Sequence, residues 1–238
     1  MANWFNEWLM FSLLLFVVWL IIFILRKRTR KEMFFVSLFT MPFGLTEPLF
    51  VPEYWNPPSL LNLAATTGFD IESLLFSFAV GGIGSVIYDT FFKSTNIKMS
   101  KHEMHSKRHR YHLLALFSPV IAFIIISLST ELNPIYSASI AMFVGGIATI
   151  LCRPDLKKKI LYSGIIFLAI YFTFFLLFNT VYPDAVRQFW NIAGISGIFA
   201  FGVPIEELLF AFTYGLMWSS IYEHILWYRE KDRNQLQK

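Results

Sequence analysis

The sequence predicts an all-α integral membrane protein with about seven transmembrane helices. Three observations carry this. First, 56% of the 238 residues are hydrophobic and only 15% are charged, against about 25% charged in a soluble domain. Second, the apolar residues come in long blocks rather than in alternation, and blocks of about 18 or more uncharged residues read as membrane-spanning helices. Third, all but one of the 20 Lys and Arg residues fall in four segments, 26–31, 93–110, 153–159 and 229–238, leaving only Arg187 outside them. Basic segments stay on the cytoplasmic side. Seven crossings with the N-terminus outside and the C-terminus cytoplasmic place all four there.

The blocks run over residues 5–25, 33–51, 70–92, 111–130, 134–152, 160–182 and 204–228. The first lacks a basic start and is longer than the apolar core of a cleavable signal, so it is read as a retained helix. The second is interrupted by Pro42, Gly44 and Pro48. The third and the seventh carry the same pattern. "GFDIESLLFSFAVGGIGSVIYD" (68–89) aligns without a gap on "GVPIEELLFAFTYGLMWSSIYE" (202–223). Ile71, Glu72, Leu74, Leu75, Phe76 and Phe78 meet Ile205, Glu206, Leu208, Leu209, Phe210 and Phe212. Gly81, Ser85, Ile87 and Tyr88 meet Gly215, Ser219, Ile221 and Tyr222, and Asp89 meets Glu223. Upstream, "YWNPP" (54–58) and "FWN" (189–191) correspond with a one-residue shift.

Helices three and seven run in the same direction, so the duplication is a parallel repeat. Two three-helix units keep that relation only if one further helix joins them, which gives a 3+1+3 order. The units are 1–110 and 134–238, with a linking helix in 111–133. Parallel repeats can build a binding site at their interface.

The repeated acids have two readings. Pro204 with Glu206 and Glu207 suits a helix start, where the dipole favours negative charge, and Asp70 suits an N-cap. An acid within a membrane span is also a functional candidate by default. The apolar segment 191–203 is too short to cross and can fold back over Glu206. Phe210 and Phe76 lie four residues beyond Glu206 and Glu72 on the same helix face, and Tyr214 extends it. A protonated acid beside aromatic faces suits carbocation chemistry. Most of the 27 phenylalanines are packing or lipid-facing residues.

"PIEELLF" (204–210), with its apolar glycine-bearing lead-in and upstream Trp, resembles the lycopene cyclase domain family, the small membrane cyclases of carotenoid-making microbes. That family has two similar three-helix domains, separate or fused, and a Pro-x-Glu-Glu/Asp motif. The resemblance implies an isomerase of the intramolecular lyase type. Its reaction is acid-initiated, non-redox cyclisation of the linear ends of lycopene, most simply to β-type rings. It implies Glu206 and Glu207 as a catalytic pair with Glu72 as their counterpart. Phe210, Phe76, Tyr214, Phe212 and Phe78 are then candidates to line the substrate, and Glu47, near the outer end of helix two, either faces the same cavity or simply marks the interface. Asp70 and Ser73 stand in the first copy where the second has Pro204 and Glu207, which leaves the first copy weaker or devoted to the other end of the substrate.

The implied partners are lycopene or a related linear carotenoid and the lipid bilayer of the cell membrane. No cofactor, metal site or nucleic-acid role is evident. The glycines of 81–85 and 145–148 lie inside apolar helices and suit close packing rather than dinucleotide binding. Cys152 is the one cysteine. His102, His105, His109 and His112 could share a helix face but are surrounded by basic residues, as in a solvated loop. Trp55, Trp190 and Trp227 suit the interfacial belt. The competing reading is a non-enzymatic polyprenoid carrier or transporter. A retinal photoreceptor is disfavoured because 204–228 holds no lysine, and a prenyl-diphosphate transferase because spaced aspartate pairs are lacking.

Overall fold

The computed structural model of the chain describes residues 6–92 and 94–232. Residues 1–5, Lys93, and Arg233 and Lys238 of the basic tail lie outside the described residues. The chain is mostly helical, at 76%. The main helices are α1 (Glu7–Leu25), α2 (Arg30–Thr40), α3 (Ile71–Phe91), α4 (His112–Ser129), α5 (Pro134–Cys152), α6 (Lys157–Val181), α7 (Ile205–Trp218) and α8 (Ile221–Leu226).

Among the described residues, five helical stretches are long and apolar enough to cross a membrane: Glu7–Leu25, Ile71–Phe91, Lys107–Ser129, Pro134–Cys152 and Pro154–Val181. The other two expected blocks are helical but broken. After Thr40 the second block tightens into a 3-10 helix, Met41–Leu49, around Pro42 and Pro48, because proline removes backbone donors and crowds the preceding turn. A Cβ on Gly44 would lie 2.6 Å from the Ser73 carbonyl oxygen, so only glycine lets this segment rest on the start of α3. The seventh block stops at Trp218, turns at Ser219 and Ser220, and resumes as α8.

The glycines pack helices together as expected. A Cβ on Gly81 would run into the Thr40 side chain, and one on Gly82 into Ser37 and Trp19. Both contacts press α3 onto its neighbours. α4 packs along α5 and keeps Leu113, Leu114, Phe117, Ile124, Ile125 and Leu128 exposed. In water such a face would be costly; against lipid it is not.

Two short antiparallel ribbons modify the all-helical expectation. β1 (Ser94–Lys98) follows α3 and pairs with β4 (Tyr228–Asp232) after α8. β2 (Phe199–Ala200) and β3 (Val203–Pro204) form a hairpin just before α7. Its two turn residues, Phe201 and Gly202, both have positive φ (52° and 82°), the geometry of the favoured two-residue hairpin turn.

Two sequence expectations are corrected. The four histidines do not share a helix face: a short helix ends at Met104 and a 3-10 turn begins at Lys107. His102 and His105 face solvent, while His112 is buried and His109 half-buried. The tryptophans do not form a belt. Trp190 is buried, Trp55 packs 5.5 Å from it, and Trp227 stacks on His112 with ring centroids 3.8 Å apart.

Candidate active site

The two Trp-Asn motifs meet each other. Asn56 N donates to Phe189 O at 2.7 Å and Asn191 N donates to Tyr54 O at 2.9 Å, with Trp55 and Trp190 bridged between them. The exchange is reciprocal, and it brings the segments leading into α3 and α7 together.

Below this junction the carboxyl of Glu207, 5% exposed, is held by three donors. Tyr54 Oη donates to Oε1 at 2.5 Å, Trp190 Nε1 donates to Oε1 at 2.9 Å, and Tyr171 Oη donates to Oε2 at 2.8 Å. Tyr54 comes from the segment before α3, Tyr171 from α6 and Trp190 from the segment before α7. Glu207 therefore sits where both halves of the chain contribute.

Glu206 is fully buried and differently held. Its Oε1 accepts from Tyr136 Oη at 2.5 Å and from Ser196 N at 2.9 Å, and its Oε2 has no partner. The apolar lead-in folds back over it, as expected, with Ile205 N bonded to Ile198 O. Glu72 repeats this arrangement. Its Oε1 accepts from Asn6 Nδ2 at 2.8 Å and from Leu60 N at 2.6 Å, and its Oε2 has no partner. In each case one donor is a backbone N–H from the lead-in. The other is a side chain at the start of a helix, α1 or α5.

The capping reading is thereby divided. Asp70 does cap α3, accepting from Ser73 N at 2.6 Å. α7 has no side-chain cap, since Pro204 holds the N-cap position, and the carboxyls of Glu206 and Glu207 are engaged elsewhere.

Aromatic rings join the acids. Phe76 lies 5.1 Å from Trp8, Trp8 lies 4.4 Å from Trp55, and Trp55 meets Trp190 beside Glu207. On α7, Phe210 packs against Tyr214 at 5.5 Å and Tyr171 at 6.4 Å. A small apolar crevice between α1, α3 and α6 is lined by Leu15, Val80, Ile83, Phe167, Tyr171 and Phe174, among others. Tyr171 thus belongs both to the crevice wall and to the shell of Glu207. The arrangement offers buried carboxyls, aromatic faces and little water.

Residues 133–225 match the family model for lycopene cyclase. The match likens this part of the chain to that family. The matched segment carries Tyr136, Tyr171, Trp190, Glu206 and Glu207, while Asn6, Tyr54 and Glu72 lie outside it. The match supports carotenoid cyclisation in general, and the apolar helices support a membrane protein. No curated protein and no solved structure matches the chain.

The expected substrate residues divide. Phe210 packs on Tyr171, which bonds Glu207, and Phe76 lies one turn beyond Glu72, while Tyr214, two turns beyond Glu206, packs on Phe167, Phe210 and Trp218. Glu47 is buried beside Asp70, on the first-copy side. Phe212 packs on the separate cluster of Leu156, Ile160 and Leu216. Phe78 packs at tilted or edge-on angles against Phe16, Trp19 and Phe34. Those two do not join the acids. The sequence reading missed Asn6, Tyr54, Tyr136 and Tyr171, and it misplaced Trp190. The duplicated Trp-Asn motif was the one available signal, since it aligned Trp55 with Trp190 and Tyr54 with Phe189.

Proposed function

We propose that the chain is a cell-membrane lycopene cyclase that closes the linear ends of lycopene to β-type rings with no net redox change. In this reading the seven blocks cross the bilayer seven times, with the N-terminus outside and the C-terminus cytoplasmic. Residues 1–110 and 134–238 are parallel three-helix repeats, and α4, within 111–133, joins them. The reciprocal Trp-Asn pairing and the matched surroundings of Glu72 and Glu206 support the repeat. The distribution of basic residues supports the orientation.

One observation carries the mechanism: adjacent carboxyls sit in opposite hydrogen-bonding environments. Both oxygens of Glu207 are taken by donors, whereas Oε2 of Glu206 is bare. Neighbouring carboxyls in contrasting surroundings mark divided roles. A transferable proton needs an oxygen at which no donor already points, so Glu206 is the acid. Its O–H bond breaks as a C–H bond forms at the terminal double bond, leaving a tertiary cation. The neighbouring double bond attacks, a C–C bond closes the ring, and the positive charge moves onto a ring carbon. That carbon's neighbour returns a proton to the Glu206 carboxylate, which restores the double bond and the acid. Glu207, fixed by Tyr54, Tyr171 and Trp190, stabilises the passing charge, assisted by the faces of Phe210 and Tyr214. The dry surroundings keep water from trapping the cation. Glu72, with its own free oxygen, receives the other end of the substrate. Ser73 leaves it without a second carboxyl.

The test is product analysis from a lycopene-accumulating bacterium expressing the chain. Glu206→Gln keeps an acceptor for Tyr136 and Ser196 but removes the proton. The wild type should yield cyclic carotenes. Glu206→Gln, at equal membrane level, should leave lycopene unchanged, and a normal ring yield from it would sink the assignment. Glu72→Gln should be milder, accumulating the one-ringed product; total loss in both variants would instead mean one shared site.

A further inference from the structure

Away from the acids, a second cluster forms where α4 begins and α5 ends. Cys152, the last residue of α5, lies with its Sγ 3.6 Å from His109 Nδ1 and 3.7 Å from His112 Nδ1. All three candidate ligand atoms fall within 4.8 Å of one another. His109 sits in the 3-10 turn Lys107–Tyr111, and His112 immediately follows it. Residues three apart eclipse in a 3-10 helix, so this turn points both rings the same way.

The spacing fits a shared ion. Zinc bonds of about 2.3 Å to sulfur and about 2.0–2.1 Å to nitrogen, at a tetrahedral angle, put S and N about 3.6 Å apart. A neutral thiol and two imidazoles hydrogen-bond weakly at such distances. The remainder of the site is built. Trp227 stacks on His112 at 17°, which fixes its ring. His224, 1% exposed, packs edge-on to His112 with centroids 4.4 Å apart, and its Nε2 has no partner. The adjacent Arg153 is already paired with Asp155 at 2.6 Å. The C-terminal end of α5, where Cys152 lies, carries the negative pole of the helix and favours a cation.

We propose that His109, His112 and Cys152 bind a zinc ion, with a fourth, exchangeable position open beside His224. On binding, the Cys152 thiol releases its proton to solvent and the thiolate sulfur bonds the metal. The mixed thiolate and imidazole set suits zinc over the hard cations magnesium and calcium. The ion ties the end of α5 to the start of α4, the least buried of the five candidate spans.

The full-length chain in detergent tests this directly with cobalt as a spectroscopic stand-in. Wild-type protein should bind one equivalent of Co²⁺ with intense visible bands of a tetrahedral centre and a thiolate-to-cobalt charge-transfer band, and zinc should displace it. Cys152→Ser should lose the charge-transfer band, and His109→Ala should weaken binding at least tenfold. His105→Ala, in the exposed part of the loop, should bind normally. Because Cys152 is the one cysteine, alkylation of the unmodified wild type gives a second reading independent of variant folding. Zinc should slow alkylation of Cys152 at least tenfold, relative to chelator-treated protein. Absence of the charge-transfer band, or equal alkylation with and without zinc, overturns the proposal.

Discussion

Tyr54 and Glu207 lie 153 residues apart, yet they are matched. The position corresponding to Tyr54 in the second copy is Phe189, and the position corresponding to Glu207 in the first is Ser73. The half that gains a second carboxyl is met by a hydroxyl from the other half. A Tyr54→Phe substitution should therefore cut cyclic carotene formation about tenfold or more without lowering membrane-inserted protein, since one preorganised donor to a reacting site is typically worth 10²–10³ in rate and two of three remain here. Glu207→Gln should be more severe. The double variant should be no worse than Glu207→Gln, because both act through the same bond; additive losses in product analysis would contradict that. The acids themselves were legible in the sequence, because a repeated Glu in an apolar helix stands out. Their donors were not. A tyrosine or tryptophan near a helix end reads as an interfacial anchor until the fold shows which distant carboxyl it reaches.

Helices were legible wherever composition decides them. The apolar blocks matched the helices, and Pro42, Gly44 and Pro48 marked the broken one. The break at Ser219 and Ser220 was not legible, because two serines are unremarkable in a membrane helix. The small residues of α3 were read as packing glycines, and their partners now follow. Gly81 faces Thr40, whose Oγ1 accepts from Trp218 Nε1 at 2.7 Å. This contact links α2 and α3 to α7. Gly81→Ala would place a methyl group inside the Thr40 side chain and break that hydrogen bond. Overpacking of this kind costs about 1–3 kcal/mol. The expected result is a clearly lowered thermal midpoint in detergent, with the Trp218 indole environment changed in fluorescence. An unchanged midpoint would mean that α2 can shift freely, contrary to the tight fit.

Across the whole molecule the two halves are joined at both ends of the bundle. At one end the Trp-Asn motifs exchange backbone hydrogen bonds above the acids. At the other, Lys159 of α6 is fully buried and reaches Asp89 at 2.6 Å, Glu223 at 2.5 Å and Glu32 at 3.3 Å. Asp89 and Glu223 are the acids that align at the ends of the similar stretches 68–89 and 202–223, so one lysine holds both. The sequence aligned these acids but counted Lys159 as a basic loop residue, since nothing local tells a buried cation from an exposed one. A buried ion pair adds little over an apolar core of the same shape, but removing one partner is expensive because the others keep their charge. Lys159→Met should therefore destabilise the protein by about 3–5 kcal/mol, seen as poor recovery and a much lower thermal midpoint at neutral pH. The sign of the pH dependence follows from which groups are left. With the lysine gone, three carboxylates face one another, and lowering the pH protonates them and relieves the repulsion. The gap between variant and wild type should narrow as pH falls and should also narrow when Glu223→Gln is added. A deficit independent of pH would assign the loss to the missing side chain's packing and would remove the ion cluster from its place as the joint between the halves.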